Sequence, residues 1–379
     1  MSATDVAFLF LGETLLIPHL YPVLEALAES DPALRIDAWV ATSVHETLLG
    51  RWTAALPGVR VRRAPGFRRL PAVEDGRNPP LPAKLPMLLR LAPRLWRAGA
   101  VVCAEQTSLW LPRLLPMPVP FVKTSHGVGS MSARDDPRRR AAAVMLVPSE
   151  RERASYLIRG FDPGRVIATG YVKAGFRQRS VTRLPFADDR PAILYAPHWQ
   201  RHRSSWWDWG AETVRGIADD GRWNLIFAPH QRLVEGAPEV QQVMAELAGR
   251  ENVHCDIDGF AMVDGSYTAA ADIYLGDTSS QVLEFLQRPR PCVFLNPRGV
   301  AWADDPSYAQ WRCGQVVDRA EAILDALAAA PSVQPDYAAT QAAFAAESLG
   351  DTSGDAAARA AAIVRGLLDK SGGSANRAR

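Results

Sequence analysis

Short continuous apolar runs recur along this chain, each followed by a small polar turn and an amphipathic segment. In the first half they are Val6–Leu11 (VAFLFL), Arg35–Ala41, Val101–Ala104, Val119–Lys123, Ala143–Val147 and Val166–Thr169. After a polar, proline-containing stretch at Leu184–Arg190 a second series begins: Ala192–Tyr195, Asn224–Ala228, Ile273–Leu275 and Pro291–Leu295, with the more polar Asn252–Asp256 read as a short third strand. A strand covered on both faces needs apolar residues at every position, so such runs predict buried parallel strands. Helical patterns between them, at His19–Ala28, Glu212–Asp219 and Ser280–Gln287, predict doubly wound α/β sheets.

At 379 residues the chain is long for one core and natural for two. The expected division is residues 1–185 as an acceptor-side Rossmann-like domain and 186–350 as a nucleotide-donor-binding domain. Residues 351–370, with the alanine-rich pattern Ala356–Leu368, are expected as a helix packing back, and 371–379 as a disordered tail. The fold class expected is α/β, with two such domains facing a cleft.

Composition removes several function classes. With 43 basic and 41 acidic residues the net charge is only +2, which argues against a nucleic-acid partner. Cys103, Cys255, Cys292 and Cys313 each stand alone, without a C-x-x-C pair, so no zinc site is expected. Cys103 and Cys292 lie in apolar runs and read as buried thiols. No apolar run reaches the length of a membrane span, and the N-terminus lacks the pattern of a signal peptide. The expected location is cytoplasmic, with peripheral contact at the inner face of the cell membrane.

The sharpest local signal is Tyr274-Leu275-Gly276-Asp277-Thr278-Ser279-Ser280, a strand running into a polar turn that opens a helix. Backbone N–H groups at such a helix start suit a phosphate, and two hydroxyls add donors. The same residues also cap ordinary helices. Glu284, one turn on, could accept hydrogen bonds from ribose hydroxyls. Three histidines follow apolar runs at expected loop tips: His126 in Thr124-Ser125-His126-Gly127, His198 in Tyr195-Ala196-Pro197-His198-Trp199, and His230 in Ala228-Pro229-His230-Gln231-Arg232. Loops at the carboxyl ends of parallel strands face the ligand crevice, where histidines suit proton transfer and phosphate contact.

In order and spacing these segments resemble the CDP-glycerol glycerophosphotransferase family of teichoic-acid biosynthesis, over roughly His126 to Asn296. Its His-Gly element matches His126-Gly127. Its Ser-Glu and Thr-Gly-Tyr elements are similar to Ser149-Glu150 and Thr169-Gly170-Tyr171. Its Tyr-Ala-Pro-Thr-Trp element is similar to Tyr195–Trp199, with His198 in place of threonine. Its Thr-Asp-Tyr-Ser-Ser element, followed by aspartate, is similar to Asp277–Ser280 and Glu284. The resemblance implies a GT-B fold and transfer of a glycerophosphate-type unit from a CDP-alcohol to a hydroxyl of a lipid- or glycan-linked acceptor, releasing CMP. It implies His126 as the base, His230 on the donor phosphates, and Ser279 and Ser280 on the pyrophosphate.

The donor-side candidates are then Pro197, His198, Arg232, Asp277, Thr278, Ser279, Ser280 and Glu284. The acceptor-side candidates are Gly12, Glu13 and His19, with Gly127 and Arg201. No carboxylate cluster demands Mg²⁺, so neither a metal nor another cofactor is expected. A GT-B glycosyltransferase using a nucleotide sugar, a sugar-nucleotide 2-epimerase and a non-catalytic nucleotide-binding module remain as alternatives.

Two basic segments complete the reading. Arg60–Arg97 holds ten basic and two acidic residues among many leucines and prolines. It reads either as a solvated loop plus a core-facing helix, or as a surface for anionic lipid. Arg134–Arg140 could hold a phosphorylated acceptor. Trp199, Trp206, Trp207 and Trp209 could line an acceptor path or pack their own loop.

Overall fold

Burial on both faces gives the apolar runs their strand form. In the computed structural model, which describes residues 4–70, 80–125, 136–257 and 259–375, Val6–Phe10 is buried at every position. The first sheet contains β1 (Val6–Phe10), β2 (Ile36–Thr42), β3 (Val59–Arg68), β4 (Ala100–Cys103), β5 (Phe121–Thr124), β6 (Val144–Val147) and β7 (Val166–Ala168). All pair in parallel, in the order β3-β2-β1-β4-β5-β6-β7. The second contains β8 (Ala192–Tyr195), β9 (Asn224–Phe227), β10 (Val253–Cys255), β11 (Ile273–Gly276), β12 (Cys292–Leu295) and β13 (Gln315–Val317). Its order is β10-β9-β8-β11-β12-β13, again parallel.

Both orders are the doubly wound pattern in which the chain starts centrally, winds to one edge, then returns to wind the other way. The reversal lies between β1 and β4 in the first sheet and between β8 and β11 in the second. Right-handed crossovers place helices on the sheet faces. In the first unit these are α1 (Tyr21–Ser30), α2 (Ser43–Trp52), α3 (Lys84–Leu95), α4 (Trp110–Leu114) and α5 (Glu150–Ile158). In the second they are α6 (Ala211–Asp220), α7 (Gln231–Gly236), α8 (Glu239–Leu247), α9 (Ser266–Ala270) and α10 (Gln281–Phe285). Helix α11 (Ile323–Leu349) then leads to α12 (Ala356–Ala375).

Among the described residues the chain divides at Gln178/Arg179 and again at Ala346/Glu347, so α12 belongs to the first unit. There it packs on α1 and β4. The helix continues beyond Leu368 to Ala375, into the stretch read as a tail.

Three elements differ from the sequence reading. Val59–Arg68, expected as loop, is the edge strand β3. Its arginines hide the strand from an apolar-run criterion, because Arg60 and Arg62 turn to the buried carboxylate of Asp37 and Arg63 to Glu46. The helix expected over Ser280–Gln287 is the single turn Gln281–Phe285, stopped short of Arg288-Pro289-Arg290-Pro291, where proline disfavours helical backbone. Gln315–Val317 is a further edge strand, with only Val317 fully buried.

Candidate functional site

In the second unit the loops after β8, β9 and β11 meet at the carboxyl end of the sheet. Asp277 directly follows β11 and is 1% exposed. Its carboxylate accepts the His198 N–H at 3.1 Å to each oxygen, the Ser205 N–H at 2.9 Å and the Ser205 hydroxyl at 3.0 Å. The Tyr195 hydroxyl lies 2.9 Å from Ser205 Oγ, and since that oxygen donates to Asp277 it accepts from Tyr195. Trp311 Nε1 donates to the Asp277 carbonyl at 3.0 Å. Burial pushes the Asp277 carboxyl up to about 6, against the pull of these N–H donors. Asp277 is therefore a tie between the ends of β8 and β11, its oxygens already bonded within the chain.

The two Pro-His loops repeat one device. Pro197 and Pro229 are buried, and the histidine after each is half-buried. His198 Nδ1 accepts the Gln200 N–H at 3.0 Å, and His230 Nδ1 accepts the Arg232 N–H at 3.1 Å, capping α7. With Nδ1 accepting, the neutral ring must carry its proton on Nε2. Both imidazoles are thus set as Nε2–H donors by the residue two places on. Burial, reinforced by Arg203, His230 and His202, pushes His198 down to about 3, so it is neutral at physiological pH. Trp199 stacks on His198 at 5.9 Å, lies 6.3 Å from the His230 ring and carries the Arg232 guanidinium over its face at 5.1 Å.

Arg203 Nε donates to Thr278 Oγ1 at 3.0 Å, and that hydroxyl donates to the Arg203 carbonyl at 3.2 Å. Ser279 Oγ accepts the Gln281 N–H at 3.4 Å, while Ser280 is exposed. Helix α10 has only five residues, so the dipole expected from a longer helix is small here. A cluster of hydroxyls, neutral imidazoles and guanidinium groups, Thr278 and Ser279, His198 and His230, Arg203 and Arg232, is what this unit offers a phosphate. Glu284 lies on the side of the Gly265 turn, whose φ of +84° suits glycine and opens α9.

Arg201, expected on the acceptor side, belongs to this second unit and stacks over Trp207 at 5.0 Å. The tryptophans pack against the core of the second unit. Trp206 is 3% exposed and stacked on Phe227 at 5.3 Å, and Trp199, Trp207 and Trp209 pack against the same core. The signal that could have shown this is the neighbouring Gly210, where any Cβ would lie 2.4 Å from the Trp206 ring.

In the first unit Gly12 and Glu13 follow β1 and line a cavity of about 10 Å³ with His45 and Glu105, room for a single water. Lys84 bonds the Glu105 carboxylate at 2.8 Å and also donates to the Leu11 carbonyl. Thr107 and Ser108 donate to Glu105 at 2.9 Å each. A Cβ on Gly12 would stand 2.8 Å from Glu105 Oε2, so the close approach needs glycine. His45 Nε2 donates to the Gly12 carbonyl at 2.9 Å and its Nδ1 accepts the Thr42 hydroxyl at 2.8 Å. Burial pushes it down to about 4, so this ring too is neutral. Sequence reading missed Lys84, Glu105 and His45, because no local pattern links three residues so far apart. His19 is buried, its ring edge-on to Tyr171 at 5.9 Å, and forms part of the packing.

His126, Gly127 and Arg134 lie outside the described residues. The flanks of that segment are polar and buried: Lys123 donates to the Thr124 carbonyl at 2.9 Å, and the Ser125 hydroxyl donates to Glu152 at 2.9 Å. Burial lowers Lys123 to about 8 and raises Glu152. Arg138 bonds Asp136, Arg139 the Tyr156 hydroxyl, and Arg140 the carbonyls of Arg159 and Gly160. These arginines are thus engaged within the protein. Among the described residues no group of three or more His, Cys, Asp or Glu side chains could hold a metal ion, and no helix is long and apolar enough to cross a membrane. Cys103, Cys292 and Cys313 are buried free thiols.

No protein-family model matches the sequence, and no curated protein does. Solved structures match over nearly the whole chain. One is the wall teichoic acid polymerase TagF soaked with CDPG, at a TM-score of 0.64 and 14% identity, covering 98% of this chain and 90% of that one. Another is a putative UDP-N-acetylglucosamine 2-epimerase from Listeria monocytogenes, at 0.65 and 16%, covering 97% and 98%. A third is the UDP-GlcNAc 2-epimerase from Neisseria meningitidis bound to UDP-GlcNAc, at 0.57 and 13%, covering 97% and 99%. With its two doubly wound sheets, the chain has the GT-B-like fold of wall teichoic acid polymerase TagF and of these epimerases.

Proposed function

We propose that this chain is a transferase that moves a glycerophosphate-type unit from a CDP-alcohol to a hydroxyl of a lipid- or glycan-linked acceptor. The observation that carries the reading is the pair of Pro-His loops in the second unit. Both rings are held as Nε2–H donors, with Arg203 bonded to Thr278 alongside. Neutral imidazole donors and guanidinium groups suit the non-bridging oxygens of a pyrophosphate. In the reaction, the acceptor oxygen forms a bond to the phosphorus bearing the alcohol. The bond from that phosphorus to the bridging oxygen breaks, and CMP leaves with the bridging oxygen. The hydroxyl proton passes to a base, for which His126 stands on the sequence resemblance alone.

Ligand-dependent melting tests the donor, since a ligand that binds the native state raises the melting temperature. Stabilisation by CMP and CDP-glycerol but not by UDP or UDP-N-acetylglucosamine supports the reading, and the reverse pattern overturns it. His126→Ala should abolish turnover and leave CMP binding near normal. A second reading, a sugar-nucleotide 2-epimerase, rests on the fold shared with the Listeria protein. Conversion of UDP-N-acetylglucosamine to its 2-epimer by the purified chain would establish that reading instead.

A further inference from the structure

We infer that Tyr274 is a positioning residue for the donor phosphates: its buried hydroxyl turns the Ser279 O–H outward, toward a phosphate oxygen. The inference rests on the reading of the Asp277–Ser280 turn as the donor-phosphate site. Tyr274 lies in β11, on the sheet face opposite the core cluster that holds Ile273 and Leu275. It is 0% exposed, and its ring packs between Phe285 at 5.7 Å and Phe294 at 6.2 Å. From there it leans along the strand over Gly276, where a Cβ would stand 2.8 Å from the phenolic oxygen. Gly276 does not have a positive φ, so glycine is required there by the space the phenol takes and not by the backbone. The hydroxyl is thereby carried toward the carboxyl end of β11, where the turn begins.

No described residue gives this oxygen a hydrogen bond. A buried hydroxyl without a partner weakens a fold, and phenylalanine would fill the same space without that penalty. The neighbour that gives the hydroxyl a use is Ser279. Burial, reinforced by Asp277, pushes the phenol well above the ordinary tyrosine range, while the nearby Ser279 hydroxyl pulls the other way. Tyr274 is therefore protonated at physiological pH and available as a donor. Ser279 Oγ already accepts the Gln281 N–H, at a long 3.4 Å. A serine hydroxyl has two lone pairs and one hydrogen. With Gln281 on one lone pair and Tyr274 on the other, the hydrogen is left to a third group. Ser279 is half-buried, and its neighbour Thr278 is already held by Arg203. A phosphate oxygen at the turn takes the Ser279 hydrogen. Rotation of Ser279 about its Cα–Cβ bond on binding closes the contact with Tyr274, and each bond in the chain Tyr274–Ser279–phosphate polarises the next.

The test is calorimetric titration of the full chain with CDP and with inorganic pyrophosphate, beside melting of the unliganded protein. Tyr274→Phe should melt no lower than the wild type and yet bind both probes roughly fivefold more weakly, the worth of one hydrogen bond. Ser279→Ala should weaken binding as well. In the Ser279→Ala background, Tyr274→Phe should then have no further effect, because the hydroxyl acts through Ser279 alone. A purely structural hydroxyl would give the opposite pattern, a lower melting temperature with binding intact. Wild-type binding that Tyr274→Phe leaves unchanged overturns the inference and leaves the donor reading standing. Losses that simply add in the double variant overturn it in the same way, and so does a weakening that appears only together with a lowered melting temperature. A wild type that binds neither CDP nor pyrophosphate overturns the donor reading, and this inference with it.

Discussion

The Asp277 carboxylate accepts the backbone N–H of His198 with both oxygens at 3.1 Å, linking strands that are neighbours in space and 79 residues apart in sequence. The link crosses the point where the second sheet reverses its winding, between β8 and β11. In folds of this type ligands sit at that point. A buried carboxylate there fixes the backbone from which His198 projects, and the Tyr195–Ser205 hydroxyl chain braces the carboxylate from behind.

The raised Asp277 carboxyl gives a signed pH dependence. Its folded value of about 6 lies above the 3.8 of an unperturbed aspartate, so the folded state binds the extra proton. Its contribution to stability is fully present below about 4 and is lost as the pH rises through 6. The stability of the wild type relative to Asp277→Asn should therefore fall between pH 4 and 6 and level off above. Paired urea titrations across that range measure the difference; one that rises over that window contradicts the burial-driven shift.

His198 should behave as a permanent neutral donor. Held down to about 3 chiefly by burial, its ring should show no titration between pH 5 and 8 when followed by NMR. His198→Ala should weaken CMP binding roughly fivefold, the worth of one hydrogen bond of about 1 kcal/mol. The weakening should be the same at pH 5.5 and pH 8 within about a factor of two. A ring midpoint above 5 would show that solvent reaches the imidazole.

Lys84 and Glu105 form the corresponding tie in the first unit, with side chains 18% and 8% exposed. Lys84→Met leaves Glu105 buried without its cation and should destabilise this unit by about 3–5 kcal/mol. Adding Glu105→Gln should recover much of that loss. A double-mutant cycle in denaturant gives the coupling directly. Near-additive single effects would mean that the pair contributes little beyond its parts.

Trp206→Ala tests whether the tryptophan loop is core. Removing a ring stacked on Phe227 should cost about 3–5 kcal/mol in thermal or denaturant unfolding. Trp207 is only partly buried, so Trp207→Ala should cost less. Equal costs would mean that the loop does not rest on Trp206 in particular.

Most of both sheets was legible in the sequence because a strand covered on both faces must be apolar at every position, as Val6–Phe10 and Cys292–Leu295 are. Edge strands escape that rule. Strand β3 carries arginines among its smaller residues because Asp37 on β2 and Glu46 on α2 answer their charges. The Pro-His repeats at His198 and His230 could also be read locally, since each ring is fixed by an N–H two residues away.

What the order of residues determined by itself is therefore local: which apolar segments are strands and where their loops turn. Tertiary structure decided what those groups do. Asp277 is chemically a ligand for a nucleotide until the fold buries it against His198 and Ser205, where its oxygens serve the chain instead. Glu105 becomes part of a site only when Lys84 and Gly12 are brought to it. The physical reason is common to both. A charge's role is set by the dielectric around it and by the donors within hydrogen-bond reach, and in a doubly wound sheet those donors come from strands far apart in the sequence.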